Sequence, residues 1–225
     1  MPTGLVIPAA GSGQRFGGTQ CKQLQMLADR PVLVRSIEPF VERVDDMVVV
    51  VNATIREGVA AAIAKEPWAG RCRLIEGGAC RRDSVHNGLL ALSARCTWAL
   101  VHDAARPLVD TAVIDACLTA LQHYPAVVAA TPCCDTLKRV DNHPAIAATV
   151  PREGLWRAQT PQGLRLDLAL PAFARARDEH WDVTDDVSVL ERAGHACAVV
   201  PDSPRNLKIT LPEDLALAAA LLSLD

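Results

Sequence analysis

From Leu5 to Ala130, short apolar runs alternate with longer stretches of helical periodicity. Leu5-Val6-Ile7 reads as a brief buried strand opening into a Gly-rich loop. Met47-Val-Val-Val-Val51 is an unbroken apolar run bounded by Asn52, the pattern of a strand covered on both faces. Further strands are predicted over 73–76, 98–102 and 126–130, with helices between them over 32–40, 55–65, 83–92 and 113–122. This βαβα rhythm predicts a mostly parallel sheet with helices on both faces. In such sheets ligands bind at the carboxyl ends of the strands, and polar clusters do follow Ile7, Ile75 and Val101.

The rhythm breaks between Pro132 and Thr160. Two β-like runs, 136–140 and 146–150, flank the turn chemistry of Asp141-Asn142-His143-Pro144. They predict a protruding hairpin arm at about 133–160. A lone two-stranded hairpin is marginal in water, so a second subunit is its simplest support. Helical patterns return over 166–177 and 187–193, and 198–200 reads as a late strand. Thr210-Leu-Pro-Glu213 opens a last helix, with Thr210 as cap, Pro212 in the first turn and Glu213 completing a capping box. The whole chain, 1–225, is expected to be one domain with the arm as an excursion.

Composition narrows the chemistry. Hydrophobic residues make up 50% and charged residues 22% of the 225, which is ordinary for a globular protein. The net charge of −3 provides no general attraction for nucleic acid, and 4% aromatics argues against a base-stacking platform. An anionic ligand must therefore be held by a local basic cluster. No apolar run approaches the ~20 residues of a bilayer span, and residues 1–13 lack the basic start of a signal peptide. A cytoplasmic protein without membrane contact is expected. The 8 cysteines include no CxxC pair, a pattern of free thiols rather than zinc or dithiol chemistry.

Four groups could carry chemistry. The first is Pro8-Ala9-Ala10-Gly11-Ser-Gly13-Gln-Arg15-Phe16-Gly-Gly18, leading to Lys22. Small residues after a strand let backbone N–H groups approach a phosphate, and Arg15 and Lys22 add positive charge. Phe16 spoils a dinucleotide fingerprint and Thr19 a P-loop; a plain Gly-rich turn is the other reading. The second is Glu76-Gly77-Gly78-Ala79-Cys80-Arg81-Arg82-Asp83-Ser84, either a ligand loop or a capped helix start. The third is Val101-His102-Asp103-Ala104-Ala105-Arg106-Pro107, where an Asp and an Arg at a strand end suit a cation and a phosphate at one point, or form a surface ion pair. His102 reads as a packed histidine. The fourth is dispersed: Thr136, Lys138, Arg139, Arg152, Thr184-Asp185-Asp186 and Lys208. Asp185 and Asp186 read as a metal pair or as caps of the following helix.

Taken in order, these segments resemble the 2-C-methyl-D-erythritol 4-phosphate cytidylyltransferases of the non-mevalonate isoprenoid pathway. Asp135-Thr-Leu-Lys-Arg139, Leu155-Trp156, Thr160-Pro-Gln162 and Asn206-Leu-Lys-Ile-Thr210 extend the likeness over nearly the whole chain. The resemblance implies a Rossmann-like α/β fold, a homodimer joined through the β-arm, CTP and methylerythritol phosphate as substrates, Mg²⁺ or another divalent cation, and release of pyrophosphate. Carried over, Pro8, Ala9, Ala10, Gly11, Gly13, Arg15, Gly78, Arg81, Ser84 and Ala104 would bind the nucleotide. Arg15, Lys22, Asp103 and Lys208 would be catalytic. Asp103, Arg106, Thr184 and Lys208 would bind the sugar-alcohol phosphate, with Thr136 and Arg152 offered from the partner subunit. Asp103 is the implied protein ligand of a metal otherwise held by CTP. Cys21, Leu24, Ala79 and Val187 depart from the usual residues: Pro, an aromatic, a polar residue and Ala. A pentitol (ribitol) 5-phosphate cytidylyltransferase and an inactive nucleotide-binding module are the alternatives.

Overall fold

The computed structural model describes residues 1–11, 21–141 and 145–224. Gly13 and Arg15 lie outside the described residues. Strand β1 (Thr3–Pro8) is followed by a small hairpin of β2 (Met26–Leu27) and β3 (Arg30–Pro31). Then come α1 (Val32–Ile37), β4 (Asp46–Val51), α2 (Ala53–Ile63), β5 (Cys72–Glu76), α3 (Arg81–Ala91), β6 (Trp98–Val101), α4 (Thr111–Ala120) and β7 (Ala126–Pro132). The arm strands are β8 (Leu137–Val140) and β9 (Ile146–Val150). After them come β10 (Trp156–Arg165), α5 (Leu166–Asp178), α6 (Val187–Arg192), β11 (Cys197–Pro201) and α7 (Pro212–Leu222).

Among the described residues the main sheet has the order β11-β7-β10-β6-β1-β4-β5. All its pairings are parallel except those of β10 with β6 and β7. Alternate residues of β4 explain its unbroken apolar run. Met47, Val49 and Val51 enter one core with α1, α2 and α4. Val48 and Val50 enter the other with α3, α5 and α6. From Met47 to Val51 the strand is buried on both sides, so none of these positions favours a polar residue.

The chain winds from β1 through β4 to β5 in one direction, then returns to lay β6 on the opposite flank of β1. Between β1 and β6 the connections therefore diverge and leave a crevice at the carboxyl edge. Helix α3 comes close over this region: a Cβ on Gly88 would lie 2.4 Å from Val6 Cγ1.

Two expectations need correction. Residues 156–160, expected in the arm, instead begin a central antiparallel strand, β10 (Trp156–Arg165). Its sequence, Trp-Arg-Ala-Gln-Thr-Pro-Gln-Gly-Leu-Arg, has no β-branched run, and Pro161 sits where the register between β10 and β7 shifts. Helix α7 is capped at Leu211, not Thr210. The Asp214 carboxylate accepts from Thr210 N–H at 2.7 Å and Leu211 N–H at 2.8 Å, while the Thr210 hydroxyl donates to the Lys208 carbonyl. Asp214, one residue beyond Glu213, does the reaching back.

Candidate active site

The crevice has a volume of about 730 Å³ and takes its walls from three strand ends. Pro8, Ala10 and Gly11 follow β1; Gly78, Ala79, Cys80, Arg81 and Ser84 follow β5; Asp103, Ala104 and Ala105 follow β6. Lys22 and Lys208 enter from outside the sheet. The small residues are required where backbones meet. A Cβ at Gly78 would come 2.5 Å from Asp83 Cβ and 2.9 Å from the Asp83 carbonyl carbon. Ser84 ties this loop to its helix: its hydroxyl accepts from Gly78 N–H at 3.0 Å and donates to the Cys80 carbonyl at 2.9 Å. The β1 loop is held by Asn52 Nδ2 donating to the Ala10 carbonyl at 2.9 Å and Gln23 Nε2 donating to that of Ala9 at 3.2 Å. Cys21 has φ −62° and ψ 131°, a φ that a proline also takes.

Asp103 sits among cations. Its Oδ2 lies 2.9 Å from Lys208 Nζ and 3.2 Å from Arg106 Nε, and its Oδ1 lies 3.5 Å from Arg81 Nη2. Both side chains of the Asp103–Arg106 pair are only 10% exposed, so this is a buried ion pair rather than a surface one. Burial pushes the Asp103 carboxyl up, but Lys208, Arg81 and Arg106 outweigh it and hold the group well below the usual carboxylate range. Arg81 is gripped from behind by Asp186, through Nη1–Oδ1 at 2.6 Å and Nη2–Oδ2 at 2.9 Å. Ile209 brings the two lysines together. Its N–H donates to the Ala105 carbonyl at 2.8 Å and its carbonyl accepts from Lys22 Nζ at 3.0 Å. Its side chain is buried with Leu27, Val32, Ala105 and Ala218. Lys208, the preceding residue, is thereby presented to Asp103.

Not every expected residue reaches the crevice wall. Arg106 is buried, donating to the Asn206 carbonyl at 2.6 Å as well as to Asp103. Ala9 is fully buried. Thr184 is exposed in a separate small depression with Arg81, Asp185 and Asp186. Thr136 and Arg152 are exposed at the arm, away from this crevice. Asp185 and Asp186 do not form a metal pair. Asp185 accepts from Ser188 N–H at 3.0 Å, at the start of α6, and Asp186 is spent on Arg81.

Residues whose roles the sequence left unread include Asp186, Thr160 and Asn206. Each lies far along the chain from its partner, Asn206 being 100 residues from Arg106. The one signal for them was their place in the motifs Thr184-Asp-Asp186, Thr160-Pro-Gln162 and Asn206-Leu-Lys-Ile-Thr210 that carry the resemblance.

His102 is fully buried, with its ring centroid 4.8 Å from that of Phe40. Burial pushes its imidazole down to about 4 from the ordinary 6.5. Between those values the unfolded chain binds a proton that the folded chain refuses. Stability should therefore fall as pH drops from 6.5 towards 4, by about 3 kcal/mol from this group. Urea unfolding at pH 7 and pH 4 measures the loss. His102→Gln should show a shallower pH slope, and an unchanged slope would remove His102 as its cause.

Fold and crevice define a Rossmann-like α/β protein with a cation-rich crevice at the carboxyl edge of its sheet. The family model for 2-C-methyl-D-erythritol 4-phosphate cytidylyltransferase matches residues 3–224. Proteins of that name from Prochlorococcus marinus and Ralstonia nicotianae are each 42% identical to the chain. The first comparison covers 98% of both chains, the second 97% of this chain and 90% of the relative. The crystal structure of the Thermus thermophilus enzyme of that name superposes with a TM-score of 0.81 at 32% identity, over 99% of this chain and 100% of that one. The 4-diphosphocytidyl-2C-methyl-D-erythritol synthase structure from Anaerococcus prevotii gives 0.85 at 27% identity, over 99% and 98%. The chain belongs to the 2-C-methyl-D-erythritol 4-phosphate cytidylyltransferase family.

Proposed function

We infer that this chain joins CTP and 2-C-methyl-D-erythritol 4-phosphate to give 4-diphosphocytidyl-2-C-methyl-D-erythritol and pyrophosphate. Family membership over residues 3–224 supports the reaction. The observation that carries its assignment to this crevice is the cluster of Lys208, Arg81 and Arg106 around Asp103, with Lys22 lining the same crevice, a local excess of positive charge in a chain of net charge −3.

A phosphate oxygen of methylerythritol phosphate attacks the α-phosphorus of CTP in line. One P–O bond forms, the α–β bridging bond breaks, and its electron pair leaves on pyrophosphate. The attacking monoester is a dianion, so no strong base is needed. The obstacle is repulsion between two polyanions, and positioning with cationic stabilisation has to overcome it. The loops at Pro8–Gly11 and Gly78–Ser84, with Ala104, bind the nucleotide in this reading, and Arg81 faces it from the start of α3. Lys22 meets charge growing on the α-phosphate and leaving group, a task Arg15 is expected to share. Lys208 and Asp103 orient the substrate phosphate, and Arg106 holds Asp103.

Asp103 is the one carboxylate lining the crevice among the described residues. Its Oδ2 is committed to two cations and its Oδ1 has the longer 3.5 Å approach of Arg81, so Oδ1 is the oxygen that would turn to a metal. This donor set fits a divalent cation, Mg²⁺ in our reading, carried mainly by the triphosphate. When bound, such an ion supplies Lewis-acid polarisation of phosphate oxygens.

We assign the arm to homodimerisation. Val140 and Ile146 are 57% and 64% exposed on it, and Trp156 at its base is 42% exposed. That is apolar surface in want of a partner, and it would bring Thr136 and Arg152 to the other subunit's substrate. The chain is taken to be one cytoplasmic domain acting on small molecules rather than on nucleic acid or membrane; no helix among the described residues is long and apolar enough to cross a bilayer.

The test is pyrophosphate release from CTP with Mg²⁺, comparing methylerythritol phosphate with ribitol 5-phosphate. Release with the first alone is expected. Release with ribitol 5-phosphate alone would move the chain to the pentitol enzymes, and CTP binding without release would make it an inactive nucleotide-binding module.

A further inference from the structure

The turn from Asp103 to Arg106 lies outside any helix or strand, and its internal backbone bond runs from Arg106 N–H to the Asp103 carbonyl at 3.1 Å. Two buried side chains close it from behind. Asp103 N–H donates to Thr160 Oγ1 at 3.0 Å, that hydroxyl meets His102 Nδ1 at 3.0 Å, and His102 Nε2 meets the Arg106 carbonyl at 3.1 Å. A carbonyl oxygen can only accept, so Nε2 carries the imidazole proton. Nδ1 is then an acceptor, and the Thr160 hydroxyl donates to it while accepting from Asp103. The bonds thus run in a consistent set of directions and leave each of these atoms with a partner.

The clamp is itself fixed. His102 is 0% and Thr160 3% exposed. Asn206 Nδ2 donates to the Thr160 carbonyl at 2.7 Å while its own backbone carbonyl accepts from Arg106 Nη1 at 2.6 Å. The hydrogen bonds therefore join both ends of the turn to one strand, β10, and to the segment that carries Lys208.

We propose that Thr160 and His102 are positioning residues for cytidylyl transfer, holding the Asp103 carboxylate and its Arg106 partner at the substrate-phosphate end of the crevice. The proposal rests on the assignment of Asp103 to that substrate. Neither side chain lines the crevice, so neither touches substrate. Their effect passes through the backbone of the turn, where a displacement of about 1 Å costs on the order of 10²-fold in rate.

Thr160→Val keeps the shape of the side chain and deprives both Asp103 N–H and His102 Nδ1 of a partner. Its KM for methylerythritol phosphate should rise about tenfold or more and its kcat fall by a similar factor, with the KM for CTP within about twofold of wild type. Thr160→Ser restores the hydroxyl and should return both constants to within about threefold. Wild-type kinetics in the valine variant, a serine variant as impaired as valine, or parallel rises in both KM values would overturn the proposal. If the valine variant does not fold, His102→Gln takes its place, and an unchanged KM for methylerythritol phosphate overturns it. The ¹⁵N imidazole spectrum of the wild-type protein is an independent check. The neutral Nε2–H tautomer is expected at His102, and the Nδ1–H form would break the chain of bonds. Wild-type protein that releases no pyrophosphate would instead strike at the functional assignment, with the imidazole spectrum still deciding the clamp.

Discussion

Replacing Lys22 by Ala should lower pyrophosphate release by on the order of 10²–10³-fold, mostly in kcat, while the protein stays folded. The reasoning is electrostatic. Two polyanions must meet, and negative charge moves onto the departing pyrophosphate as the α–β bond breaks. A cation that meets this charge stabilises the transition state more than the bound substrates, so its loss appears in kcat rather than in KM alone. Lys22 suits that task because its ammonium is held at the crevice by the Ile209 carbonyl, 3.0 Å away. Lys208, for its part, meets the Asp103 carboxylate. The two lysines should therefore separate in kinetics. Lys208→Ala breaks the 2.9 Å contact with Asp103, so its loss should include a larger rise in KM for the phosphate substrate. Pyrophosphate release and the thermal midpoint, measured together on both variants, check this. Near-wild-type turnover in a folded Lys22→Ala protein would remove Lys22 from the chemistry.

The strands and helices around the crevice were legible because burial on both faces writes continuous apolar runs such as Met47–Val51. The crevice itself was legible from the small and charged residues at the ends of those runs: Pro8–Gly11, Gly77–Ser84 and His102–Pro107. What escaped was the layer behind it. Strand β10 lies in the middle of the sheet yet contains Thr160, Pro161 and Gln162, because there the sheet spends polar side chains on holding other segments. Gln162 Oε1 accepts from Asp186 N–H at 3.0 Å and from Val187 N–H at 2.9 Å. In periodicity such residues look like loop. Their partners are distant in sequence, so local spacing carries no trace of the pairing. For the same reason Asp186 read as a cap or a metal ligand, when its use is to hold Arg81, 105 residues away.

Asp186→Ala should destabilise the protein by about 1.5–3 kcal/mol, the usual cost of losing hydrogen bonds to a charged group, because the guanidinium left behind is 37% exposed and open to the crevice. For a chain of this size that lowers the thermal midpoint by on the order of 5 °C. Asp186 is 1% exposed and meets Arg81 through both oxygens, at 2.6 and 2.9 Å. Without it, the guanidinium keeps only the 3.5 Å approach to Asp103 among the described residues. Asp103 would then be drawn between Arg81 and its present partners Lys208 and Arg106, so activity should fall with stability. Acid alone should not reproduce this through Asp103. Its carboxyl is held below the ordinary value, so its contribution is fully present above about pH 4 and is lost only as pH falls through the depressed value. The double replacement Arg81→Met with Asp186→Leu separates the two purposes of the pair. Removing both charges for apolar groups of similar size should recover most of the stability lost in Asp186→Ala and none of the pyrophosphate release. Thermal unfolding and the release assay on the three proteins decide it. A double variant that regained both would mean that Arg81 faces the nucleotide without serving it. One that regained neither would mean that the pair supports the fold first. The expected result, stability without activity, identifies an ion pair whose buried carboxylate is kept for where it puts one guanidinium.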